Sequence, residues 1–163
     1  QFGMVKSGAN YAMALSPTLD AMAENAAVDQ ILFATGGDIT ETGAANFFLA
    51  DDNRVVTRQL DSSFLHGVTR SSVLALAKDL GYEVEERPIE LDELEDWAAR
   101  GEAFLSGTAA VLSPVGTVLR GDSQITFGDG EPGRNTLRLR ESLVAIQNGS
   151  GDDAHGWRTA VQT

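Results

Sequence analysis

Two stretches of the chain repeat apolar residues every three or four positions, which predicts helices that bury one face. Their apolar positions are Val73, Leu76, Ala77 and Leu80 in the first stretch, and Leu139, Leu143 and Ile146 in the second. Gly81 and Gly149 directly follow these stretches. Glycine often ends a helix because it adopts the left-handed conformation without strain. The pattern therefore predicts two amphipathic helices with defined ends.

Other stretches have the short apolar or alternating pattern of β-strands, bounded by turn residues. They are residues 31–34, 45–49, 55–57, 82–86, 104–115 (strand, turn, strand) and 124–127. Gly36 and Gly37 mark one turn, and residues 51–53 mark another. Helices and strands mixed within one chain of this length predict an α/β or α+β domain.

Two further helices are predicted from local signals. One lies near the start of the chain and is expected to break at Pro17, because proline removes a backbone donor; Ser16 would cap the new start. The other contains Trp97 and is expected to begin with a capping box formed by Asp92 and Glu95.

The composition is that of one globular domain: 163 residues, 42% hydrophobic and 22% charged. No apolar run approaches the ~20 residues of a membrane span, and no basic-then-apolar leader is present. The absence of cysteine excludes disulfides and thiolate metal sites, and it agrees with an expected cytoplasmic location. The net charge of −12 disfavours nucleic-acid partners, because phosphate binding needs clustered Lys and Arg.

The chain contains only two lysines, Lys6 and Lys78, so a reaction that needs a lysine amine has two candidates. Lys78 falls outside the apolar stripe of its helix and is expected to be a solvated surface group. Lys6 begins the segment KSGANY, in which Gly8 would allow a tight turn and Tyr11 offers a phenol. Taken alone, this segment favours a solvated surface lysine and a tyrosine that packs at the start of an ordinary helix.

Residues 41–48 (ETGAANFF) place Glu41 before a run of small residues. Pyridoxal chemistry needs an acid beside the ring nitrogen, because a protonated pyridinium accepts the electrons of the developing carbanion. Small residues after the acid would let the ring lie against the backbone. The alternative interpretation is an acidic loop residue followed by a buried strand.

Two more segments could bind an anion. Residues 64–72 (FLHGVTRSS) would deliver Thr69 to the first turn of a helix, where free N–H groups and the dipole favour a phosphate. Residues 105–110 (LSGTAA) form a small-residue loop with a hydroxyl and exposed N–H groups. The alternatives are an ordinary Thr or Ser helix cap and a simple tight turn.

In this order, the four segments resemble the C-terminal large domain of the class IV (fold-type IV) pyridoxal-phosphate aminotransferases, and within them the branched-chain amino-acid aminotransferases. The resemblance extends over nearly the whole chain and includes residues 83–88, 106–115, 145–149 and 155–157. It implies that residues 1–163 form a cofactor-binding large domain of pseudo-barrel type, with pyridoxal 5′-phosphate as the cofactor.

The resemblance also implies a role for each matching residue. Lys6 would bind the cofactor as a Schiff base and then move the proton between the substrate α-carbon and the cofactor. Tyr11 would bind the phenolic oxygen of the cofactor, and Glu41 its pyridine nitrogen. Leu65 would pack against the ring.

The remaining implied roles concern anions. The N–H groups of Val68 and Thr69 and the hydroxyl of Thr108 would hold the cofactor phosphate. Thr108 and Ala109 would offer N–H groups to the substrate carboxylate. No metal is implied, and with His66 and His155 as the only histidines a His-based metal site is not expected.

The implied activity is transamination between a branched-chain amino acid (leucine, isoleucine or valine) and 2-oxoglutarate. Two alternatives remain: a homologue that binds without catalysis, and a fold-type IV enzyme of different specificity, either a D-amino-acid transaminase or an enzyme like aminodeoxychorismate lyase. The Gly-x-Asn-Tyr sequence after Lys6 favours the branched-chain subgroup.

Members of this family also have a smaller N-terminal domain, which supplies a phosphate-binding arginine and part of the substrate pocket. That domain is absent from residues 1–163, which begin with Gln1, five residues before Lys6. We therefore expect an N-terminal-domain chain of the same enzyme as a partner. Family resemblance further implies that the assembled units form a homodimer.

Overall fold

In the computed structural model, the described part of the chain is residues 2–161, and it contains four α-helices and nine β-strands. The helices are α1 (Gly8–Glu24), α2 (Val68–Asp79), α3 (Leu94–Ala98) and α4 (Arg134–Asn148). The strands are β1 (Leu32–Thr35), β2 (Asp38–Thr42), β3 (Asn46–Ala50), β4 (Arg54–Thr57), β5 (Glu83–Glu86), β6 (Glu102–Gly107), β7 (Val111–Val115), β8 (Thr117–Arg120) and β9 (Ser123–Thr126). A short 3₁₀ turn (Leu91–Glu93) leads into α3.

Strand β3 lies at the centre of the main sheet, and all of its residues are buried. On one side it pairs antiparallel with β6, which in turn pairs with β7. On the other side β2 pairs with the start of β3, and β4 pairs with the remainder. Strand β5 runs parallel to β4, and α2 makes the crossover between them. Strands β8 and β9 form a separate hairpin.

Alternate residues of the sheet face two apolar clusters, as the twofold period of a strand requires. Phe48 and Phe104 face α2 and α4, and their rings stack with centroids 4.9 Å apart. Phe47 and Leu105 face the other way, towards α3 and Trp97. Both faces of the sheet are therefore covered, which gives the mixed α+β class that the sequence predicted.

The start of α4 is fixed by a carboxylate from β6. Glu102 accepts hydrogen bonds from the backbone N–H and side-chain amide of Asn135, each at 2.9 Å. It also accepts the backbone N–H and hydroxyl of Thr136, each at 2.8 Å. Because the first N–H groups of a helix lack partners within the helix, this carboxylate satisfies them and joins α4 to the sheet.

Helix α1 differs from its prediction, because it continues through Pro17 from Gly8 to Glu24. Proline leaves the carbonyl four residues earlier, that of Met13, without its helical partner. This helix is exposed, and Met13 is 79% exposed, so water can replace the missing donor. The expected break at Ser16 was therefore wrong.

Two other local predictions need correction. The capping box before α3 is formed by Glu90 and Glu93, not by Asp92 and Glu95, because the helix starts earlier with a 3₁₀ turn. The backbone N–H of Glu90 donates to the Glu93 carboxylate at 2.8 Å. Strands β2 and β8 were not predicted, and Glu41 lies within β2 rather than in a loop. Each of these two strands forms a hairpin with its neighbour, which short polar strands can do without a clear alternating pattern.

Within residues 2–161, none of the helices combines the length and the apolar character needed to cross a bilayer. The cytoplasmic location stays a prediction.

Candidate active site

A cavity of about 860 Å³ opens between the N-terminal segment and the edge of the main sheet. Its lining includes every residue to which the sequence assigned a cofactor contact: Lys6, Tyr11, Glu41, Leu65, Val68, Thr69 and Thr108. These residues come from the segment before α1, α1 itself, β2, the loop before α2, the start of α2 and the β6–β7 turn. Ala109 is an exposed residue of the same β6–β7 turn and is not among the lining residues. The fold thus brings the predicted cofactor residues together around one space.

Lys6 and Tyr11 form a pair at the mouth of the cavity. The Lys6 Nζ donates a hydrogen bond to the Tyr11 hydroxyl oxygen at 3.0 Å. The same amine lies 5.3 Å from the centre of the Tyr11 ring. Lys6 is exposed, and Tyr11 is half-buried. By contrast, Lys78 is exposed on α2 and does not line this cavity.

The turn that carries Lys6 is held by Asn10. The side-chain amide of Asn10 donates to the carbonyl oxygens of Phe2 at 2.9 Å and Val5 at 2.7 Å. Gly3 packs so closely on the loop before α2 that a Cβ there would lie 2.0 Å from the Ser63 carbonyl oxygen. Gly8 begins α1, and a Cβ there would meet no atom within 4 Å.

Glu41 points its carboxylate at the loop before α2. Its Oε1 accepts the backbone N–H of Leu65 at 3.4 Å, and its Oε2 accepts the side-chain amide of Asn46 at 3.4 Å. Burial raises the pKa of Glu41 to about 7, and the Leu65 N–H only partly opposes this change. Desolvation has this effect because it disfavours the charged form of an acid. The free carboxyl group therefore holds a proton over much of the range below neutrality.

Asn46 is a site residue to which the sequence assigned no role. It begins β3 opposite Glu41 and is 4% exposed. Its side-chain amide also donates to the carbonyl oxygen of Leu65 at 3.0 Å. Its position five residues after Glu41 could have identified it. Because β2 was not predicted as a strand, the pairing of Glu41 with Asn46 could not be predicted either.

The N-terminus of α2 faces the cavity through Val68 and Thr69. The residue before the helix is Gly67, which has no side chain to cap the first N–H groups. A 12-residue helix that starts without a side-chain cap presents free N–H groups and the positive end of its dipole. Such an end can bind an anion.

A charged group forms another part of the lining. The Arg58 guanidinium bonds to Asp38 at 2.8 Å and to Asp61 at 3.1 Å. It therefore connects the start of β2 to the loop before α2. Arg58 and Asp38 lie 20 positions apart in the sequence, and no local motif identified this pair.

The β6–β7 turn places Thr108 on the far side of the cavity. Val111, which follows this turn, has a φ of 57°. A β-branched residue rarely adopts this left-handed conformation, at a cost on the order of 1–2 kcal/mol. Strain of this kind is common where a turn must present its backbone to a ligand. Within residues 2–161, no group of three or more potential metal-binding side chains is found.

Comparison with known proteins gives one consistent family. The model of the amino-transferase class IV family matches residues 6–118. A "probable branched-chain-amino-acid aminotransferase" from Staphylococcus aureus (strain N315) is 41% identical over 165 residues, which cover 98% of this chain and 46% of the relative. The branched-chain-amino-acid aminotransferase of Mycobacterium tuberculosis (strain ATCC 25618 / H37Rv) is 42% identical, with 95% of this chain and 44% of the relative covered.

Solved structures agree. The T.th. branched-chain amino acid aminotransferase with pyridoxamine 5′-phosphate has a TM-score of 0.82 and 33% identity, covering 95% of this chain and 48% of that one. The Escherichia coli branched-chain amino acid aminotransferase has a TM-score of 0.81 and 31% identity, with 95% and 50% covered. The chain spans about half the length of these relatives. It belongs to the class IV aminotransferase family, and its similarity lies with the branched-chain subgroup.

Proposed function

We propose that this chain is the cofactor-binding half of a pyridoxal-phosphate-dependent aminotransferase that acts on branched-chain amino acids. The observation that carries the proposal is that one cavity gathers an amine, a half-buried acid and an uncapped helix end. The similarity to branched-chain aminotransferases supports the same conclusion. We further propose leucine, isoleucine and valine as amino donors and 2-oxoglutarate as the acceptor.

The cavity offers one group for each chemical feature of pyridoxal 5′-phosphate. The Lys6 amine suits the aldehyde, the Tyr11 hydroxyl the phenolic oxygen, and Glu41 the ring nitrogen. The start of α2 suits the phosphate. When bound, the cofactor supplies an electron sink for the carbanion that forms at the substrate α-carbon.

Lys6 is proposed to act twice. Its Nζ would hold the cofactor covalently through the aldehyde carbon, and once freed by the substrate amine it would carry a proton to and from the α-carbon. Tyr11 accepts a hydrogen bond from this amine at 3.0 Å, so its own O–H remains able to donate to a cofactor oxygen.

Glu41 is proposed to keep the ring nitrogen protonated. Its raised pKa of about 7 means that the free site stores a proton near neutral pH. A basic nitrogen beside the carboxyl group can take that proton, which leaves a carboxylate against a cation in a charge-assisted hydrogen bond. The N–H of Leu65 and the amide of Asn46 then stabilise the carboxylate.

The anion contacts are proposed from the placement of the turns. The N–H groups of Val68 and Thr69, with the hydroxyl of Thr108, would hold the phosphate. The N–H groups of Thr108 and Ala109 would bind the substrate carboxylate. The exposure of Thr108 and Ala109 leaves this turn able to accept a ligand from the open side of the cavity.

We propose that the remaining half of the enzyme is an N-terminal domain that closes the exposed side of this cavity. The support is that this chain matches only about half of each relative. An arginine from that domain would add a bidentate phosphate contact worth about 1.5–3 kcal/mol, so its absence would weaken cofactor binding at least tenfold. A homodimer of the assembled units is proposed on the same basis.

The direct test is an amino-transfer assay with leucine, isoleucine and valine against 2-oxoglutarate. The chain should gain activity when an N-terminal-domain chain is added, and Glu41→Gln should retain the cofactor but slow transfer by at least about a hundredfold. Activity of Glu41→Gln equal to the parent would overturn the role of the acid. D-Amino acids or aminodeoxychorismate as the preferred substrate would replace the branched-chain assignment with one of the alternatives.

A further inference from the structure

Asn46 contacts three parts of the cavity wall at once. Its side-chain Nδ2 donates one hydrogen bond to Glu41 Oε2 at 3.4 Å and another to the Leu65 carbonyl oxygen at 3.0 Å. Both amide hydrogens are therefore used. Glu41 closes the ring of contacts, because its Oε1 accepts the Leu65 backbone N–H at 3.4 Å.

The amide oxygen of Asn46 makes the third contact. A Cβ built on Gly67 would lie 2.3 Å from Asn46 Oδ1, a distance too short for two non-bonded atoms. The backbone just before α2 therefore rests directly on this side chain. A longer residue at position 67 would push the start of the helix away from the sheet.

The surroundings of Asn46 leave it little freedom to move. It is 4% exposed, and it stands between two strands, opposite Glu41 on β2 and Ser106 on β6. Its side chain is held by Glu41 of β2 and by the loop before α2, which contributes Leu65 and Gly67. It therefore fixes the loop before α2 relative to the sheet.

We infer that Asn46 is a positioning residue that sets the separation between the acid Glu41 and the N-terminus of α2. This inference rests on the proposed function, because the ligand that needs this separation has a ring nitrogen at one end and a phosphate at the other. Loss of the side chain should leave each end able to bind its own group. It should weaken the binding of a ligand that spans both ends, because the two ends are no longer held at a fixed distance.

The test compares a spanning ligand with a fragment of it. The spanning probe is 4′-deoxypyridoxine 5′-phosphate, which has the ring nitrogen and the phosphate but no aldehyde, so its binding does not require Lys6. The fragment is inorganic phosphate. Both dissociation constants are measured by isothermal titration calorimetry on the 163-residue chain and its variants Asn46→Ala and Asn46→Asp. Asn53→Ala is the matched control, since Asn53 is an exposed turn residue outside the cavity.

Asn46→Ala should bind the spanning probe about tenfold more weakly, which corresponds to the loss of ~1.4 kcal/mol, and inorganic phosphate less than about twofold more weakly. Asn46→Asp should bind the spanning probe more weakly still, because a carboxylate there repels Glu41 and the Leu65 carbonyl oxygen. Asn53→Ala should match the parent for both ligands.

A second measurement does not depend on any ligand. The side-chain carboxyl ¹³C resonance of Glu41 should titrate at a higher pH in Asn46→Ala than in the parent chain, because the ionised carboxylate loses a hydrogen-bond donor. In Asn53→Ala it should not move. Circular dichroism checks that each variant is folded, and if Asn46→Ala does not fold, Asn46→Ser carries the same expectations.

The outcomes separate the possible failures. Equal weakening for the spanning probe and for phosphate would show that Asn46 only supports the loop, which overturns the inference. Unchanged binding of both ligands would overturn it as well. If the parent chain binds inorganic phosphate but not the spanning probe, the proposed cofactor site itself is wrong, and the inference fails with it.

Discussion

Helices α1 and α4 have similar lengths and opposite environments. The 17 residues of α1 include none that is buried, whereas the 15 residues of α4 bury Leu139, Leu143 and Ile146 against the sheet. Both helices carry apolar residues, so composition does not explain the difference. The difference is that α4 packs its apolar face on the sheet, whereas no apolar residue of α1 is buried against another part of the described chain.

The parts of the molecule to which these helices belong differ in the same way. The N-terminal arm (residues 2–24) exposes large apolar side chains, including Phe2 at 77%, Met13 at 79% and Leu15 at 57%. The body (residues 32–148) buries its apolar side chains in two clusters around one sheet. A patch of this kind usually marks a surface that contacts another protein.

The candidate active site therefore combines two regions that differ in burial. Glu41, Leu65 and the start of α2 belong to the body, and Lys6 and Tyr11 belong to the arm. Regions with few buried apolar groups open at a lower free energy than the core. We expect the acid and the anion site to be preformed in this chain, and the lysine to become fixed when the arm is covered.

The comparison can be tested most strongly with two phenylalanines. Phe104→Ala should lower the free energy of unfolding by about 3–5 kcal/mol, because it leaves a cavity beside Phe48 in the core. Phe2→Ala, on the arm, should change it by less than about 0.5 kcal/mol. Urea denaturation of both variants measures these values. Comparable losses would show that the arm is as firmly packed as the body.

A second test concerns the attachment of α4 to the sheet. Glu102→Ala should lower the free energy of unfolding by about 2–4 kcal/mol, because it removes the acceptor of the N–H groups of Asn135 and Thr136. Glu141→Ala, an exposed residue on the same helix, is the matched control and should have little effect. If the two variants unfold at the same urea concentration, Glu102 does not anchor the helix.

The sequence predicted the buried helices α2 and α4 better than the exposed helix α1, for a physical reason. The apolar positions of α2 and α4 repeat with the helical period, and Gly81 and Gly149 adopt the positive φ that ends them, 88° and 82°. Helix α1 has no buried face, and because it is exposed it tolerates Pro17 within the helix. The rule that proline ends a helix therefore gave the wrong prediction there. Local rules are most reliable where burial enforces them.

The site shows a related limit. The resemblance identified residues that now line one cavity, yet Asn46 and Arg58 were not assigned. Their importance depends on partners that are distant in the sequence, such as Asp38 for Arg58 and Leu65 for Asn46. Contacts of this kind follow from strand pairing and loop packing, which no short motif encodes.

The raised pKa of Glu41, which belongs to the body, can be tested by the pH dependence of stability. Since the pKa of Glu41 is raised from 4.5 to about 7, the folded chain binds more protons than the unfolded chain between these values, and this residue makes stability fall as pH rises through them. Glu41→Gln removes that dependence. Its stability relative to the parent should therefore increase by about 1 kcal/mol from about pH 4 to about pH 8, an amount reduced by the partial exposure of Glu41.

Urea denaturation at several pH values measures this difference. A difference between Glu41→Gln and the parent that is constant across the range would show that Glu41 is not buried enough to hold its proton.

The arm half can be tested at Asn10. Asn10→Ala removes two hydrogen bonds to the turn before Lys6, and amide hydrogen exchange in residues 3–7 should accelerate. The global free energy of unfolding should change by less than about 1 kcal/mol, because these bonds are exposed. Asn53→Ala is the control. Unchanged exchange would mean that Asn10 does not hold the turn, and a large global loss would contradict the separation of arm from body.

We propose that Lys6, carried on this exposed arm, is the residue that binds pyridoxal 5′-phosphate. Borohydride reduction of the chain with the cofactor, followed by peptide mapping, tests it directly. We expect a pyridoxyl group on Lys6, lost in Lys6→Ala and retained in Lys78→Ala. A label on Lys78 alone, or the same labelling in Lys6→Ala as in the parent, would contradict it.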